Sequence, residues 1–509
     1  LWRNAASVGG LTLVSRLFGF VRDVLMAALL GAGPLSDAFM VAFRLPNHFR
    51  AIFAEGAFNA AFVPRYAFVL TTDGAAGARR FAGAVLSVTV LVQIVLLVAA
   101  LFAMPLVVGL LAPGFTDDPA QFATTVELTR ITFGYLALIS VATLVSGMLN
   151  AHERFAAAAA APILLNICMI AALFMAPWFP TIAHALAWGV LVSGAAQLLY
   201  VLFDLRKSGQ RLGFARPDWS PDMRKFVGAF GPAVLGSAGV QLAMFADTII
   251  ASFLPSGSVS YLYYADRLYQ LPLAVIGIAV GVVLLPDLSK KVAAGDEEGA
   301  RRGLNRALEG IIVLTLPCVV VFVLMAEPVL ALLFGRGAFD AAAVFGSARA
   351  LEAYAVGLTA IVALRALTPA FHARGDTSTP VKALGASILI NIALKIVLVG
   401  TFAHAGLAFA TAVGAWVNAI LLAVFLARRG MFVPDRRLIR LALVALAASF
   451  ALAAVVTGLE PSLRVWSGLI PFAPELAPVA ARLLAGAVVY LAVVWIGARA
   501  VLRPQAKID

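Results

Sequence analysis

Residues 85–104 read Val85-Leu-Ser-Val-Thr-Val-Leu-Val-Gln-Ile-Val-Leu-Leu-Val-Ala-Ala-Leu-Phe-Ala-Met104. No charge interrupts the wider run 81–112. One membrane crossing uses about 20 apolar residues as a helix, so this stretch is long enough to span. It lacks the strict polar alternation of a membrane β-strand. Arg79 and Arg80 precede it, and Asp117 and Asp118 follow it. Basic residues mark the cytoplasmic side of a span, so the chain runs outward here.

The rest of the chain repeats this pattern. Of 509 residues, 62% are hydrophobic and only 13% are charged. Mean hydropathy is +0.98. A soluble domain carries about 25% charged residues, so the solvent for most of this chain is lipid. A soluble enzyme, a single-span receptor and a β-barrel are excluded. The first apolar run is broken by Arg16, Arg22 and Asp23, so it reads as a span and not as a cleavable signal. Cys168 and Cys318 sit inside apolar runs and suggest no disulfide framework.

Fourteen apolar segments follow one another, from 5–31 to 476–501. Even-numbered loops carry the cations: Arg79 and Arg80, then Arg154, then Arg206 to Lys225, then Lys290 to Arg302, then Arg374 and Lys382, then Arg428 to Arg437. Odd-numbered loops are short or acidic, with Arg336 and Arg464 as exceptions. That alternation predicts an all-α polytopic membrane protein with fourteen transmembrane helices and both termini cytoplasmic. The net charge of +12 is thereby assigned to topology and not to nucleic acid.

The first twelve spans look duplicated. Asp23 matches Asp247 at an offset of 224, and Phe43-Arg44-Leu45 matches Asp266-Arg267-Leu268 at 223. Pro64 matches Pro286 at 222, Leu165-Asn166-Ile167 matches Ile390-Asn391-Ile392 at 225, and Ala183-His184-Ala185 matches Ala403-His404-Ala405 at 220. Six spans per half give both halves one orientation, as in parallel-repeat transporters, which hold substrate between the halves. The expected domains are an N-lobe over 1–208, a cytoplasmic linker over 209–225, a C-lobe over 226–430, and two extra spans within 431–509.

A charge at bilayer depth costs about 2.5–3.5 kcal/mol on insertion scales. This chain concentrates such charges in its first two spans: Arg16, Arg22, Asp23, Asp37, Arg44, Arg50 and Glu55. Asp266 and Arg267 lie in span eight, Asp247 in span seven, Glu352 and Arg365 in span ten, and Lys395 in span eleven. Arg65 and Arg130 read as span-end residues. Glu55 reads equally as a functional or a capping carboxylate. Arg44 and Arg267 are repeat mates, expected to face each other across the central axis. Arg16 and Arg22 lie about 600° apart on a helix, so both reach one cavity only if the helix kinks at Gly19. Guanidinium groups around a cavity suit phosphate or carboxylate oxygens, which they grip in pairs. The sign of the charge therefore favours an anionic substrate. Pro46, Pro64, Pro272 and Pro286 suggest bent helices in a gate.

The stretch Ser15-Arg-Leu-Phe-Gly-Phe-Val-Arg-Asp23 closely resembles the MurJ (MviN) family of lipid II flippases. So do Ser36-Asp-Ala-Phe39, Phe43-Arg-Leu-Pro-Asn47 and Phe53-Ala-Glu-Gly-Ala-Phe58. Asn150-Ala-His-Glu-Arg-Phe155, Tyr263-Tyr-Ala-Asp-Arg-Leu268 and Leu285-Pro286 are similar to the same family. Its parent superfamily exports drugs, oligosaccharidyl-lipids and polysaccharides. The resemblance implies a transporter, not an enzyme. It would move lipid II, the undecaprenyl-pyrophosphate-linked wall precursor, across the bacterial inner membrane.

The resemblance also implies that Arg16, Arg22, Arg50 and Arg267 bind the pyrophosphate-sugar headgroup. Asp37 would be functionally important and Asp23 would pair near the arginines. The last two spans would form a groove for the prenyl tail. Some relatives carry Glu where this chain has Gln270. Some carry a sodium site, whose pattern Asp247, Asn391 and Thr411 fit, but the second carboxylate is here Lys395. The expectation is that the Lys395 ammonium takes the sodium position and pairs with Asp247. Asp247, Asn391, Lys395, Thr411 and Glu55 are thus read as coupling or gating residues. No metal or cofactor is expected, and membrane potential or an ion gradient would supply energy. The expected partners are lipid II and membrane lipids, with no nucleic acid and a monomeric state. Another polyprenyl-linked polysaccharide and a multidrug antiporter remain the alternatives. A transferase would need an acidic metal motif; Asp296-Glu-Glu298 is the nearest stretch and reads as a solvated charge run.

Overall fold

A computed structural model describes residues 2–51, 58–459 and 476–502. Glu55, with most of the Phe53–Phe58 motif, lies outside the described residues. Sixteen α-helices make up the described chain, with short 3₁₀ turns at Pro113–Asp117 and Ala176–Trp178. They are α1 (Trp2–Leu30), α2 (Pro34–Phe49), α3 (Phe58–Thr72), α4 (Gly74–Leu111), α5 (Pro119–Ala151), α6 (Phe155–Phe174), α7 (Ile182–Lys207) and α8 (Pro221–Ser252). There follow α9 (Ser258–Ala293), α10 (Glu297–Leu324), α11 (Ala326–Phe334), α12 (Ala341–Ala355), α13 (Leu358–His372), α14 (Ser378–Arg428), α15 (Arg436–Gly458) and α16 (Leu476–Leu502).

Helix occupies each of the fourteen apolar segments. Among the described residues, eight helices are long and apolar enough to cross a membrane, and the bent pair α12–α13 makes a ninth. The 51-residue α14 covers two segments, broken at Ala403, whose φ of 46° and ψ of −131° leave the helical region. Helix starts follow local chemistry. Asp118, Thr181, Asp296, Asp340 and Asp435 each accept a backbone N–H from the first turn they precede.

The chain divides into two compact units, Leu1–Ser260 with Arg336–Phe339, and Tyr261–Gly335 with Asp340–Asp509. In the first, α5 is the central helix, packed against α2, α3, α4 and α7. The seventh segment, α8, groups with this first unit and not with the helices after it. Phe226 and Phe230 stack into an aromatic cluster with Phe58, Phe62 and Phe81. Arg65 forms an ion pair with Asp222. The strand of chain before α8 lies on α4, where the Ser87 hydroxyl donates to the Ala215 carbonyl at 2.7 Å. Aromatic packing and a partly buried ion pair thus hold α8 in this unit.

In the second unit, α15 and α16 pack on each other and on α10. Met325, Ala448, Leu452, Val456, Val479 and Tyr490 form their core. Polar contacts pin the pair. Tyr490 donates to the Val313 carbonyl at 2.6 Å, and Asn305 to the Val433 carbonyl at 3.0 Å. Arg306 bridges Glu309 and Asp435. Leu443, Phe450, Leu484, Val488 and Leu491 stay exposed on the same pair, as expected of a lipid-facing surface.

The duplication is visible in backbone geometry. At the corner after α5, Glu153 sits at φ 59° and the Arg154 N–H donates to the Leu149 carbonyl at 2.9 Å. At the corner after α13, 222 residues on, Gly375 sits at φ 74° and the Asp376 N–H donates to the Phe371 carbonyl at 3.1 Å. Each corner is tied to the end of a later helix by an ion pair of opposite polarity. Arg154 pairs with Asp204 in one, and Asp376 with Arg429 at 2.6 Å in the other. The exits repeat as well: Gly209 and Gly430, both at positive φ, close the same Schellman turn.

These corners make stability depend on pH. The Arg429 guanidinium, with Thr379 next, holds the Asp376 carboxyl well below the usual carboxylate range. Arg374 does the same for Glu297, to a smaller degree. A carboxylate depressed in the folded state stabilises it fully above the unfolded pKa of about 4, and that contribution is lost as pH falls through the folded value. The melting temperature in detergent is therefore expected to fall progressively below about pH 4. Asp376→Asn should flatten that acid limb; an unchanged limb would show that other groups dominate it.

Candidate functional site: a buried arginine–carboxylate set

In the first unit, α1 is continuous helix through Gly19, and Arg16 and Arg22 meet different surroundings. Arg16 is exposed. Arg22 is 6% exposed and Asp23 2%. Arg22 donates from Nε and Nη2 to Asp23 Oδ1 at 3.0 and 2.7 Å. Its Nη1 donates to Asn166 Oδ1 at 2.9 Å, and Phe43 lies beneath the guanidinium at 5.9 Å. Asn166 in turn donates to the Ser15 carbonyl, which ties α6 to α1. The charge on Arg22 is thus held in place by a carboxylate, an amide and a ring. The guanidinium is thereby fixed in orientation, with its charge already shared with Asp23.

Asp37, on the first turn of α2, is 1% exposed. It accepts the Gly257 N–H at 2.6 Å, the Ser260 N–H at 2.8 Å and the Ser260 hydroxyl at 2.6 Å. Ser36 and Ser260 share a further bond at 2.9 Å. A carboxylate from another helix therefore caps the start of α9, where the helix dipole favours negative charge. Arg44 lies within electrostatic reach of Asp37 and of His48. His48 Nδ1 meets Gln241 Oε1 at 2.7 Å, and Asp247 also acts electrostatically on this histidine. Arg44, Arg50 and Asp247 are all half-buried.

In the second unit, the half-buried Arg267 lies over the Tyr263 ring at 4.5 Å. Asp266 accepts from Gln270, so that amide is used within its own helix. Lys395 is buried at 2% exposure on α14. One turn before it, Asn391 donates to the Ala410 carbonyl at 2.9 Å. The Thr411 hydroxyl donates to the Leu407 carbonyl at 3.0 Å.

The structure therefore unites Arg22 with Asp23, while Asp37 is held by Gly257 and Ser260. Sequence reading missed Asn166, Gly257, Ser260, His48 and Gln241 as partners. Two signals were present in the duplication. Asn166 is a repeat landmark, and Ser260 lies at the repeat offset from Asp37.

Fold and site together describe a multi-pass α-helical membrane protein with arginines and carboxylates buried among its helices. The family model of the lipid II flippase MurJ matches residues 26–470. A probable lipid II flippase MurJ of Rhizobium meliloti is 41% identical, over 97% of this chain and 93% of its own length. The lipid II flippase MurJ of Burkholderia cenocepacia is 36% identical over 97% of each chain. This chain belongs to the MurJ lipid II flippase family and is accordingly a transporter and not an enzyme. A solved structure of lipid II flippase MurJ in an inward closed conformation shares the fold, with a TM-score of 0.81 at 24% identity over 97% of this chain and 99% of its own. An inward-facing multidrug MATE transporter of the MOP superfamily shares it more distantly, with a TM-score of 0.64 at 17% identity over 84% of this chain and 98% of its own.

Proposed function

We propose that this chain moves lipid II from the cytoplasmic to the outer leaflet of the bacterial inner membrane by alternating access, with both termini in the cytoplasm. The observation that carries the reading is the near end-to-end match to relatives named as lipid II flippases. The buried Arg22 of α1 and the half-buried Arg44 of α2 support it, because a pyrophosphate needs fixed cationic donors once it leaves water. Arg16, Arg22, Arg44, Arg50 and Arg267 are assigned to the headgroup, with Asp23 and Asp37 orienting the arginines or the helix ends beside them. The apolar surface of α15 and α16 is assigned to the prenyl tail. A cationic site couples naturally to membrane potential, since each charge moved is worth about 2.3 kcal/mol per 100 mV.

Depletion in the host tests the reading. Lipid II is expected to accumulate on the cytoplasmic side while its synthesis continues; a normal rate of appearance in the outer leaflet would overturn it.

Lys395 carries a second expectation. An ammonium where the family resemblance implies a sodium site in some relatives removes the need for the ion. Asn391 and Thr411 already direct donors to backbone carbonyls, which supports this assignment. Melting temperature and flipping are expected to be equal in sodium and choline salts. A sodium-specific rise in either would end the idea.

A further inference from the structure

Four turns expected on the outer face pack against one another within the first unit. Gly114, in the corner between α4 and α5, lies on the last turn of α8. Its N–H donates to the Ser252 hydroxyl at 3.0 Å. A Cβ on Gly114 would overlap the Ser252 carbonyl oxygen and stand 2.7 Å from the Phe253 nitrogen. Gly337, in the turn between α11 and α12, lies on the last turns of α1. The next residue, Ala338, donates its N–H to the Ala28 carbonyl at 2.8 Å. A Cβ on Gly337 would overlap that same carbonyl oxygen.

The two contacts are one contact made twice. Gly114 and Gly337 are separated by 223 residues, and Ala28 and Ser252 by 224, which are the offsets of the duplication. In each, the corner after the third segment of one repeat seats on the first helix of the other. The capped turn joining Asp37 to Gly257 and Ser260 lies in the same set of odd-numbered loops.

We propose that Gly114 and Gly337 are paired closure points of the outer face. Each corner seats on its helix end only because the glycine has no side chain, and both contacts separate when the outer face opens. The inference rests on the alternating-access reading and adds to it the residues that set the balance between states. Backbone against backbone leaves no flexible side chain to absorb a methyl group. A Cβ therefore penalises the closed face alone and shifts the population toward the open one.

The test uses the full-length protein with Cys168→Ser and Cys318→Ser, and a reporter at Ser36→Cys, since Ser36 is 1% exposed in the closed arrangement. An impermeant maleimide is added to intact cells. Gly114→Ala and Gly337→Ala are each expected to raise the labelling rate of the reporter at least tenfold. Gly9→Ala, where nothing lies within 4 Å, should leave it unchanged. Protein that stays monodisperse and labels at the parental rate in the Gly114→Ala variant overturns the proposal. Gly337 has a φ of 59°, so its alanine variant also strains the backbone; Gly114 has no positive φ and carries the test alone if Gly337→Ala does not fold. Labelling reads closure without reference to substrate, so its failure is distinct from a normal lipid II distribution after depletion.

Discussion

Asp37→Ala is expected to lower the melting temperature in detergent sharply and to abolish complementation of a depleted host. The carboxylate is buried and accepts two backbone N–H groups and one hydroxyl at the start of α9. Truncation leaves those donors without an acceptor in a place water does not reach. Each buried orphan costs about 1–3 kcal/mol, so the three together should cost roughly 3–9 kcal/mol. Asp37→Asn is the informative companion. It keeps the shape but turns one acceptor into a donor facing the N–H groups, so it should recover only part of the loss. Full stability and full complementation in Asp37→Asn would show that neither the charge nor the second acceptor matters.

The second large effect is expected at Arg22. Arg22→Ala takes from the buried Asp23 carboxylate the guanidinium that pairs with it at 2.7 Å, and breaking one side of such a pair costs about 3–5 kcal/mol. A simple loss of complementation would therefore not separate a structural arginine from one that binds substrate. The double variant Arg22→Ala/Asp23→Ala does separate them. Removing both partners should restore much of the stability, because no uncompensated charge remains. Flipping should stay lost if the guanidinium binds the headgroup. Stable protein with restored flipping in the double variant would assign Arg22 to structure alone. Arg22→Lys should also fail, since an ammonium cannot reproduce bonds to Asp23 and Asn166 from three guanidinium nitrogens.

Much of the fold was legible because lipid enforces simple rules. A helix in bilayer must satisfy its own backbone and present apolar side chains, so segments such as 81–112 announce themselves. The duplication was legible from landmarks such as Asn166 and Asn391, and the corners at Glu153 and Gly375 carry it into the backbone. Two features were not. The grouping of α8 with the first unit depends on Phe226 and Phe230 meeting rings distant in sequence. The different surroundings of Arg16 and Arg22 depend on what folds against α1: Asn166 of α6 meets Arg22, while Arg16 stays exposed.

The site divides along the same line. By itself, the sequence determined which residue types lie at bilayer depth, because a charge inside an apolar run is visible whatever it touches. It determined family, helical class and the excess of arginine in the first two segments. Only the tertiary structure decided partners. Asp37 caps α9, Arg22 is clamped by Asp23 and Asn166, and Gly114 and Gly337 seat on helix ends more than a hundred residues away along the chain. Hydropathy is a property of each residue and adds along the chain. A hydrogen bond or a backbone contact is a property of two places, and folding alone brings them together.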